Sequence, residues 1–236
     1  MEHIAENVEK DVHEQRVLFE KGMELLNLKI DKKQIYLFEE YLKLLLLWNK
    51  KINLFSVNDT ERIAERHFLE SIAWVPYFQG KLQSPILDLG TGSGFPGVPL
   101  VILLPELDIV LLDSKRKKTL FLEKVKENLK LNIQIVSERI EKFNQKKEVL
   151  NKFQIIISRA VASLSTLATW AYPILKKEGS LLTFKGANLV TEIDQLKREK
   201  NKYSEIDINI IEFKVCKNLH QNPSWENRKL VEVKFS

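Results

Sequence analysis

The chain has 236 residues, of which 44% are hydrophobic and 29% are charged, so it can form an α/β domain with a real core and an additional segment. Lys and Arg outnumber Asp and Glu by 37 to 32, and the net charge of +5 allows a polyanionic partner without requiring one. The single cysteine, Cys216, excludes an intramolecular disulfide and a multi-cysteine metal site.

The sequence shows neither the pattern of a signal peptide nor an apolar run long enough to cross a membrane. The chain begins Met-Glu-His-Ile-Ala-Glu, which lacks the basic-then-apolar order of a signal peptide. The longest apolar run, Leu44–Trp48, is far shorter than the roughly 20 residues needed to cross a bilayer. We therefore expect a cytoplasmic protein that has no membrane segment.

The charge is unevenly distributed along the chain. Residues 114–152 contain twelve Lys or Arg and five Asp or Glu, whereas residues 1–30 contain four and seven. The basic middle is a candidate contact surface for a polyanion, although solvated helix faces would give the same composition.

The first eighty residues are predicted to be helical. Residues 5–28 carry apolar side chains at helical spacing, and Asp31 is placed to cap a second helix that runs to about Lys50. A third helix is predicted from Asp59 to about Pro76. We therefore divide the chain into a helical extension at residues 1–80 and a main domain at residues 81–236.

From Pro85 the pattern changes to alternating strands and helices, which predicts a parallel sheet covered on both faces. Strands are predicted at Ile86–Leu89, Asp108–Leu112, Ile133–Val136, Gln154–Ser158 and Ser180–Phe184. Helices are predicted at Val98–Leu104, Lys115–Lys130, Ser163–Leu175 and Leu189–Glu199.

The C-terminal segment breaks this alternation. Two strand-like runs, Ile206–Val215 and Lys229–Phe235, follow each other without a helix, which predicts an antiparallel pair. The order is that of the α/β, Rossmann-like sheet of class I S-adenosylmethionine-dependent methyltransferases, mostly parallel with an antiparallel C-terminal strand pair. A dehydrogenase would instead continue as βαβ units through six parallel strands.

A glycine-rich segment follows the first predicted strand. Residues 85–97 read Pro-Ile-Leu-Asp-Leu-Gly-Thr-Gly-Ser-Gly-Phe-Pro-Gly, which predicts a buried strand and a tight turn where the backbone approaches a ligand. Gly92–Gly97 satisfies G-x-G-x-x-G, and Asp113, about twenty residues on, is placed to bind ribose hydroxyls. A dinucleotide and S-adenosylmethionine both fit these two features. Asp88 favours S-adenosylmethionine, because a carboxylate before the turn suits a cationic ligand and would repel a pyrophosphate.

Several of these side chains also have purely structural interpretations. Asp113 could cap the helix that begins near Lys115, and Glu141 could pair with a neighbouring lysine. His67 could be a buried helix residue that is bonded to a backbone carbonyl. No His, Cys, Asp or Glu cluster has metal-ligand spacing, so we expect no metal site.

Three motifs together resemble the bacterial RsmG (GidB) family. They are Asp88–Gly97, His67–Ser71 (His-Phe-Leu-Glu-Ser) and Ser158–Val161 (Ser-Arg-Ala-Val), and Phe95-Pro96-Gly97 is the most specific part. Members of that family are described as methyltransferases that modify N7 of guanine 527 in 16S ribosomal RNA. The resemblance implies S-adenosylmethionine as cofactor and 16S rRNA or the small ribosomal subunit as partner, and we expect a monomer.

The resemblance and the residue pattern together give a set of candidate site residues. The family's cofactor contacts fall here on Gly90, Phe95, Ile140, Glu141 and Arg159. The pattern adds Asp88, Gly92, Gly94 and Asp113 to the cofactor site, and Arg159, His67 and Lys185 are the candidate catalytic residues. Ile140 replaces the small residue usual at its position, a change that a contact through main-chain atoms would survive.

Candidate RNA contacts lie beside the glycine segment. The basic run Lys115–Lys118 is predicted near the mouth of the cofactor crevice, and Lys185 and the loop with Trp225 and Arg228 are further candidates. Guanine N7 has a lone pair and no proton, so methyl transfer to it requires positioning and no general base. Two alternatives are an NAD(P)-dependent oxidoreductase, which the glycine motif allows, and a non-catalytic RNA-binding protein of ribosome assembly.

Overall fold

The computed structural model describes residues 2–60, 62–78, 85–203, 205–211 and 229–235. Trp225 and Arg228 lie outside the described residues, and so does the boundary that was predicted near residue 80. That boundary therefore stays a prediction.

Two long helices and several short ones precede the sheet, and further helices alternate with its strands. The described helices are α1 (Glu2–Leu25), α2 (Lys32–Ile52), α3 (Val57–Thr60), α4 (Glu70–Ile72), α5 (Val75–Phe78), α6 (Gly97–Leu103), α7 (Arg116–Leu129), α8 (Ile140–Phe143), α9 (Leu164–Ala171) and α10 (Leu189–Arg198). A π-helical segment at Ala64–Leu69 precedes α4, and single 3₁₀ turns lie at Lys147–Val149, Tyr172–Ile174 and Lys200–Lys202.

The predicted second helix begins where its sequence signal lies. The Asp31 carboxylate accepts a hydrogen bond from the Gln34 backbone N–H at 2.7 Å, and the Gln34 side chain accepts one from the Asp31 N–H at 3.0 Å. This reciprocal pair is a capping box, which satisfies two backbone donors at the start of the helix. The helix ends at Ile52, and its C-cap Asn53 adopts the left-handed conformation with φ of +49°.

The predicted third helix is wrong as a single element. The structure has α3, the π-helical segment, α4 and α5 in its place. The wider π-helical turn places Arg66 and His67 so that the Arg66 carbonyl oxygen and His67 Nδ1 both contact Arg159 of the main domain.

The seven strands form one sheet in the order β3-β2-β1-β4-β5-β7-β6. They are β1 (Ile86–Leu89), β2 (Ile109–Asp113), β3 (Gln134–Ser137), β4 (Phe153–Arg159), β5 (Leu175–Lys185), β6 (Ile206–Ile211) and β7 (Lys229–Phe235). Strands β1 to β5 are parallel, and β7 pairs antiparallel with both β5 and β6. The predicted fold class is confirmed.

Two elements in the second half of the sheet differ from the prediction. The helix predicted at Ser163–Leu175 ends at Ala171, because Pro173 lacks the N–H that would continue it, and β5 already begins at Leu175. The short helix α8 between β3 and β4 was not predicted.

A separate hydrophobic core covers each face of the sheet. The N-terminal helices pack with α6 and α7 on one face, and α8, α9 and α10 cover the other. Aromatic side chains connect the N-terminal helices to the glycine segment: Tyr41 of α2 stacks on Phe68 at 5.6 Å and contacts Phe95 at 5.5 Å between ring centroids. The helical extension is thereby packed directly against the loop predicted to bind the cofactor.

Candidate functional site

The glycine loop after β1 is organised by Asp88. Its Oδ2 accepts hydrogen bonds from Thr91 Oγ1 at 2.7 Å and from the Gly97 N–H at 2.9 Å, which ties the start of the loop to the start of α6. Burial raises the pKa of Asp88 to about 7, although these two hydrogen bonds and the Arg159 charge lower it. Its Oδ1 is buried and has no hydrogen-bond partner among the described residues.

Two glycines of the loop are required by their surroundings. Gly90 has a φ of +73°, and a Cβ there would lie 2.5 Å from Val161 Cγ2. Gly94 has a φ of +102°, and a Cβ there would lie 2.6 Å from the Tyr41 hydroxyl. The loop is therefore held between Val161 on one side and Tyr41 of α2 on the other.

A cavity of about 320 Å³ opens at the carboxyl ends of β1, β2 and β3. Its walls include four of the predicted cofactor residues, namely Gly90, Asp113, Ile140 and Glu141. Carboxyl ends of parallel strands in an open α/β sheet face the ligand crevice, and the cavity has this position. We name it the strand-end cavity.

Asp113 ends β2 and binds the backbone of the glycine loop and of the residue that precedes α7. Its Oδ2 accepts from the Gly92 N–H at 2.9 Å, and its Oδ1 accepts from the Lys115 N–H at 2.8 Å. The second bond goes to Lys115, the N-cap residue that precedes α7, so Asp113 does not cap a helical N–H as the structural alternative expected. Each carboxylate oxygen retains a further lone pair, so both oxygens can still accept from a ligand.

Lys118 is a cavity residue that the sequence analysis did not single out from the basic run. A Cβ on Gly92 would lie 3.4 Å from its Nζ. Burial lowers the pKa of Lys118 below its usual value, although the nearby Asp113 carboxylate acts in the opposite direction. Its position one turn after Lys115 on α7 is the signal that could have separated it from its exposed neighbours.

Arg159 occupies a second, separate position at the carboxyl end of β4. Its Nη1 donates to Glu70 Oε2 and to the Arg66 carbonyl oxygen, both at 3.1 Å, and its Nη2 lies 2.8 Å from His67 Nδ1. Its Cζ lies 5.3 Å from the centre of the Phe95 ring, on which the His67 ring stacks at 4.9 Å. We name Arg159, His67, Glu70 and Phe95 the arginine cluster.

Lys185 belongs to neither of these groups of residues. Its Nζ donates to the Ala162 carbonyl oxygen at 2.6 Å and pairs with Glu192 Oε2 at 2.8 Å. The same Glu192 oxygen accepts from the Leu164 N–H at 2.6 Å. Lys185 and Glu192 thus hold the loop between β4 and α9, whose residue Val161 forms part of the cavity wall.

The structure therefore brings the predicted residues together in groups. Gly90, Asp113, Ile140 and Glu141 line the strand-end cavity, whereas Phe95, His67 and Arg159 form the arginine cluster with Glu70. Asp88, Gly92 and Gly94 shape the loop between the two groups. The chemical roles of these residues and of Lys185 stay predictions.

The strand-end cavity fits S-adenosylmethionine by the chemistry of its walls. Gly90 exposes backbone where a side chain would clash, and Asp113 presents two oxygens that suit ribose hydroxyls. Asp88, in contrast, is fully buried and is not part of the cavity wall, so its carboxyl group supports the glycine loop from below.

A family model described as rRNA small subunit methyltransferase G (GidB) matches residues 34–220. The chain belongs to this family. GidB membership confirms the prediction that it is a methyltransferase of small-subunit rRNA and uses S-adenosylmethionine. It also sets aside the NAD(P)-dependent oxidoreductase and the non-catalytic assembly protein.

Relatives from several bacteria support the GidB assignment over most of the chain. The Ribosomal RNA small subunit methyltransferase G of Desulfitobacterium hafniense is 41% identical over 174 residues, which cover 73% of this chain and 72% of the relative. The protein of the same description from Streptococcus agalactiae is 40% identical over 199 residues and covers 82% and 81%.

Solved structures with low sequence identity share the fold of this GidB protein. An O-methyltransferase from Bacillus cereus in complex with SAH has a TM-score of 0.54 at 13% identity and covers 84% of this chain and 91% of its own. A methyltransferase from Geobacter sulfurreducens has a TM-score of 0.55 at 10% identity and covers 83% and 90%.

The described residues contain neither a metal-ligand cluster nor a membrane-spanning helix. Among the described residues, no group of three or more His, Cys, Asp or Glu side chains could hold a metal ion. In the same part of the chain, no helix is long and apolar enough to cross a membrane.

Proposed function

We propose that this GidB protein transfers a methyl group from S-adenosylmethionine to N7 of guanine 527 in 16S ribosomal RNA. The observation that supports this most is the strand-end cavity, in which Gly90, Asp113, Ile140 and Glu141 converge from three strands. We further propose that it works as a cytoplasmic monomer without a metal ion.

The chain's own residues bind and orient the reactants. When bound, S-adenosylmethionine supplies a methyl group carried by a sulfonium, which a neutral nucleophile can accept. Asp113 accepts hydrogen bonds from the ribose hydroxyls, and Ile140 packs against the adenine ring. Gly90 lets the ligand approach the backbone closely because it has no side chain. Arg159 contacts the cofactor at the opposite side of the glycine loop.

Guanine N7 needs no general base, and the arginine cluster agrees with that requirement. A guanidinium has only donors, so His67 Nδ1 must accept from Arg159 and the imidazole is neutral with its proton on Nε2. We assign His67 to holding Arg159 rather than to moving a proton. Positioning alone can contribute several kcal/mol of the barrier, on the order of 7 or more in well-oriented reactions.

The cavity rim supports an RNA substrate. Lys115, Arg116 and Lys117 are exposed at the start of α7, and Arg139 and Lys142 are exposed beside α8. Cations at the mouth of a cofactor cavity can contact phosphates and keep a polyanion in place. We propose that Lys185, whose ammonium is engaged by Ala162 and Glu192, positions the β4–α9 loop instead of touching RNA.

Transfer of a tritium-labelled methyl group tests the proposed function. Naked 16S rRNA and whole small subunits are supplied separately, and the labelled base is mapped by cleavage at 7-methylguanosine. We expect one labelled guanine, and no label when 7-deazaguanine replaces it, because that base lacks N7. Label on another atom or base contradicts the proposed position, and RNA binding without transfer contradicts the proposed activity.

A further inference from the structure

The most buried ion pair at the site connects the N-terminal helices to the sheet. The side chains of Arg159 and Glu70 are only 13% and 2% exposed, and their atoms Nη1 and Oε2 are 3.1 Å apart. A carboxylate so deeply buried is unfavourable unless a cation neutralises it. Glu70 was not among the predicted site residues, and its position beside Arg159 calls for a functional explanation.

We infer that Glu70 is a positioning residue for methyl transfer, which acts by fixing the guanidinium of Arg159 against the Phe95 ring. The inference rests on the proposed function, because it takes Arg159 as a contact of S-adenosylmethionine. Glu70 itself touches no reacting atom in this account.

The inference rests first on how the Arg159 guanidinium is held. One short segment supplies three acceptors to it: the Arg66 carbonyl oxygen, His67 Nδ1 and Glu70 Oε2. The group is planar and rigid, so three acceptors from one side fix its plane as well as its place. The Cζ of the guanidinium held in this way lies over the Phe95 ring, 5.3 Å from its centre.

Glu70 is the strongest of the three acceptors. Hydrogen bonds between charged groups are roughly twice as strong as those between neutral groups. Without the carboxylate, Arg159 would keep the neutral acceptors of Arg66 and His67 and would regain part of the rotamer freedom of a long side chain. The orientation of Arg159 therefore depends mainly on Glu70.

A second arginine pair in the helical extension provides a control. Arg16 of α1 and Glu39 of α2 are also 3.1 Å apart, with 40% and 23% of their side chains exposed. Neither residue contacts the glycine loop or the cavity wall in the described structure. Loss of this pair removes an inter-element ion pair without touching Arg159.

A double-mutant cycle on cofactor binding tests the inference. Calorimetric titration with S-adenosylmethionine compares the wild type with Glu70→Gln, Arg159→Met, the double variant and Glu39→Gln, all below their melting temperatures. Glu70→Gln should raise the Kd about tenfold, since it weakens a charge-assisted contact. The double variant should bind like Arg159→Met, because Glu70 acts only through Arg159, and Glu39→Gln should bind like the wild type.

Each other outcome has a defined meaning. If Glu70→Gln binds like the wild type, or if its effect adds in full to that of Arg159→Met, the positioning role is wrong. A wild type that does not bind S-adenosylmethionine overturns the proposed function together with the inference. If Arg159→Met changes kcat alone, the same cycle is applied to kcat, and additivity there overturns the inference.

Should Glu70→Gln not fold, Glu70→Asp replaces it in the cycle. Aspartate keeps the charge but withdraws it from Arg159 by one methylene group. A smaller rise in Kd that again disappears in the Arg159→Met background supports the inference. A Kd equal to that of the wild type overturns it, because the position of the carboxylate would then be irrelevant.

Discussion

The two halves of the site are assembled from different distances along the chain. The strand-end cavity uses residues that directly follow β1, β2 and β3, so the sheet alone brings them together. The arginine cluster joins Arg159 to Glu70, which lies 89 residues earlier in the N-terminal helices. One half is therefore a property of the fold family, whereas the other depends on how the helical extension packs on this sheet.

The glycine loop separates the two halves and faces both. Gly92 lies on the cavity side near Lys118, and Gly94 packs against Tyr41 of α2. Asp88 lies beneath the loop and is affected by both sides, because the charges of Arg159 and Asp113 act on its pKa in opposite directions after the larger effect of burial. Changes to the loop can therefore distinguish the halves.

The largest expected effect is a pH dependence that comes from Asp88. Burial raises the pKa of Asp88 from 3.8 to about 7, so the folded state binds this proton more tightly than the unfolded state does. Protonation of Asp88 therefore stabilises the folded state. This contribution to the free energy of unfolding, about 4 kcal/mol, is complete below pH 3.8 and is lost as the pH rises through about 7.

Asp88→Asn isolates that contribution, because the carboxamide cannot titrate. Denaturant unfolding at pH 4 and pH 8 should show the variant gaining stability relative to the wild type as the pH rises. A difference between the two proteins that stays constant from pH 4 to pH 8 contradicts this assignment.

The next largest effect compares Gly94 with Gly92. Gly94→Ala should reduce the free energy of unfolding by about 3 kcal/mol, since the new Cβ would clash with Tyr41 and Val98 in addition to the left-handed strain. Gly92→Ala has the strain but more open space, so a loss of about 1 kcal/mol is expected. Equal losses in chemical denaturation would show that the contact with α2 does not constrain the loop.

Asp113→Asn probes the cavity half by itself. It should raise the Kd for S-adenosylmethionine about tenfold, because an amide accepts hydrogen bonds at one atom instead of two. Glu138→Gln is the matched control, since Glu138 lines the same cavity but pairs with Lys146 at 2.7 Å. Calorimetry that finds both variants equally impaired would indicate a general loss of negative charge rather than a specific contact.

The smallest effect per residue is expected at the basic rim. Replacing Lys115, Arg116 and Lys117 by Gln should reduce the slope of log affinity against log salt for RNA by roughly 0.7 to 0.9 per charge. Gln at Lys32 and Lys33 serves as the control, because these exposed residues lie at the first turn of α2, beside the C-terminal ends of α6 and α7 and away from the cavity. A slope that only the control changes would place the RNA on the opposite edge.

The strands could be predicted because their apolar runs are short and bounded by turn residues. The segment around Ala64–Leu69 could not, because continuous helical spacing does not reveal a π-helical turn. The first part of β5 was missed because Lys176, Lys177 and Glu178 give it a polar sequence. Short elements with few apolar residues, such as α8, leave too weak a pattern.

The site residues also divide into those that the sequence predicted and those that it did not. The family resemblance implied Gly90, Ile140 and Glu141, and the spacing from the glycine motif indicated Asp113; all four meet in the structure because parallel strand ends lie at one edge. Glu70 was missed, since a buried acidic residue in an amphipathic helix looks like a surface residue until its partner is known. Lys185 shows the converse, because a lysine after a strand gives no sign that its ammonium is held by Glu192.

One cofactor molecule is proposed to join the two halves of the site. A crystal structure of the protein with S-adenosylhomocysteine tests this proposal most directly. We expect the ribose at Asp113, the adenine beside Ile140 and the amino-acid end within hydrogen-bond distance of Arg159. A ligand that occupies the strand-end cavity and leaves the arginine cluster without contact would contradict the account.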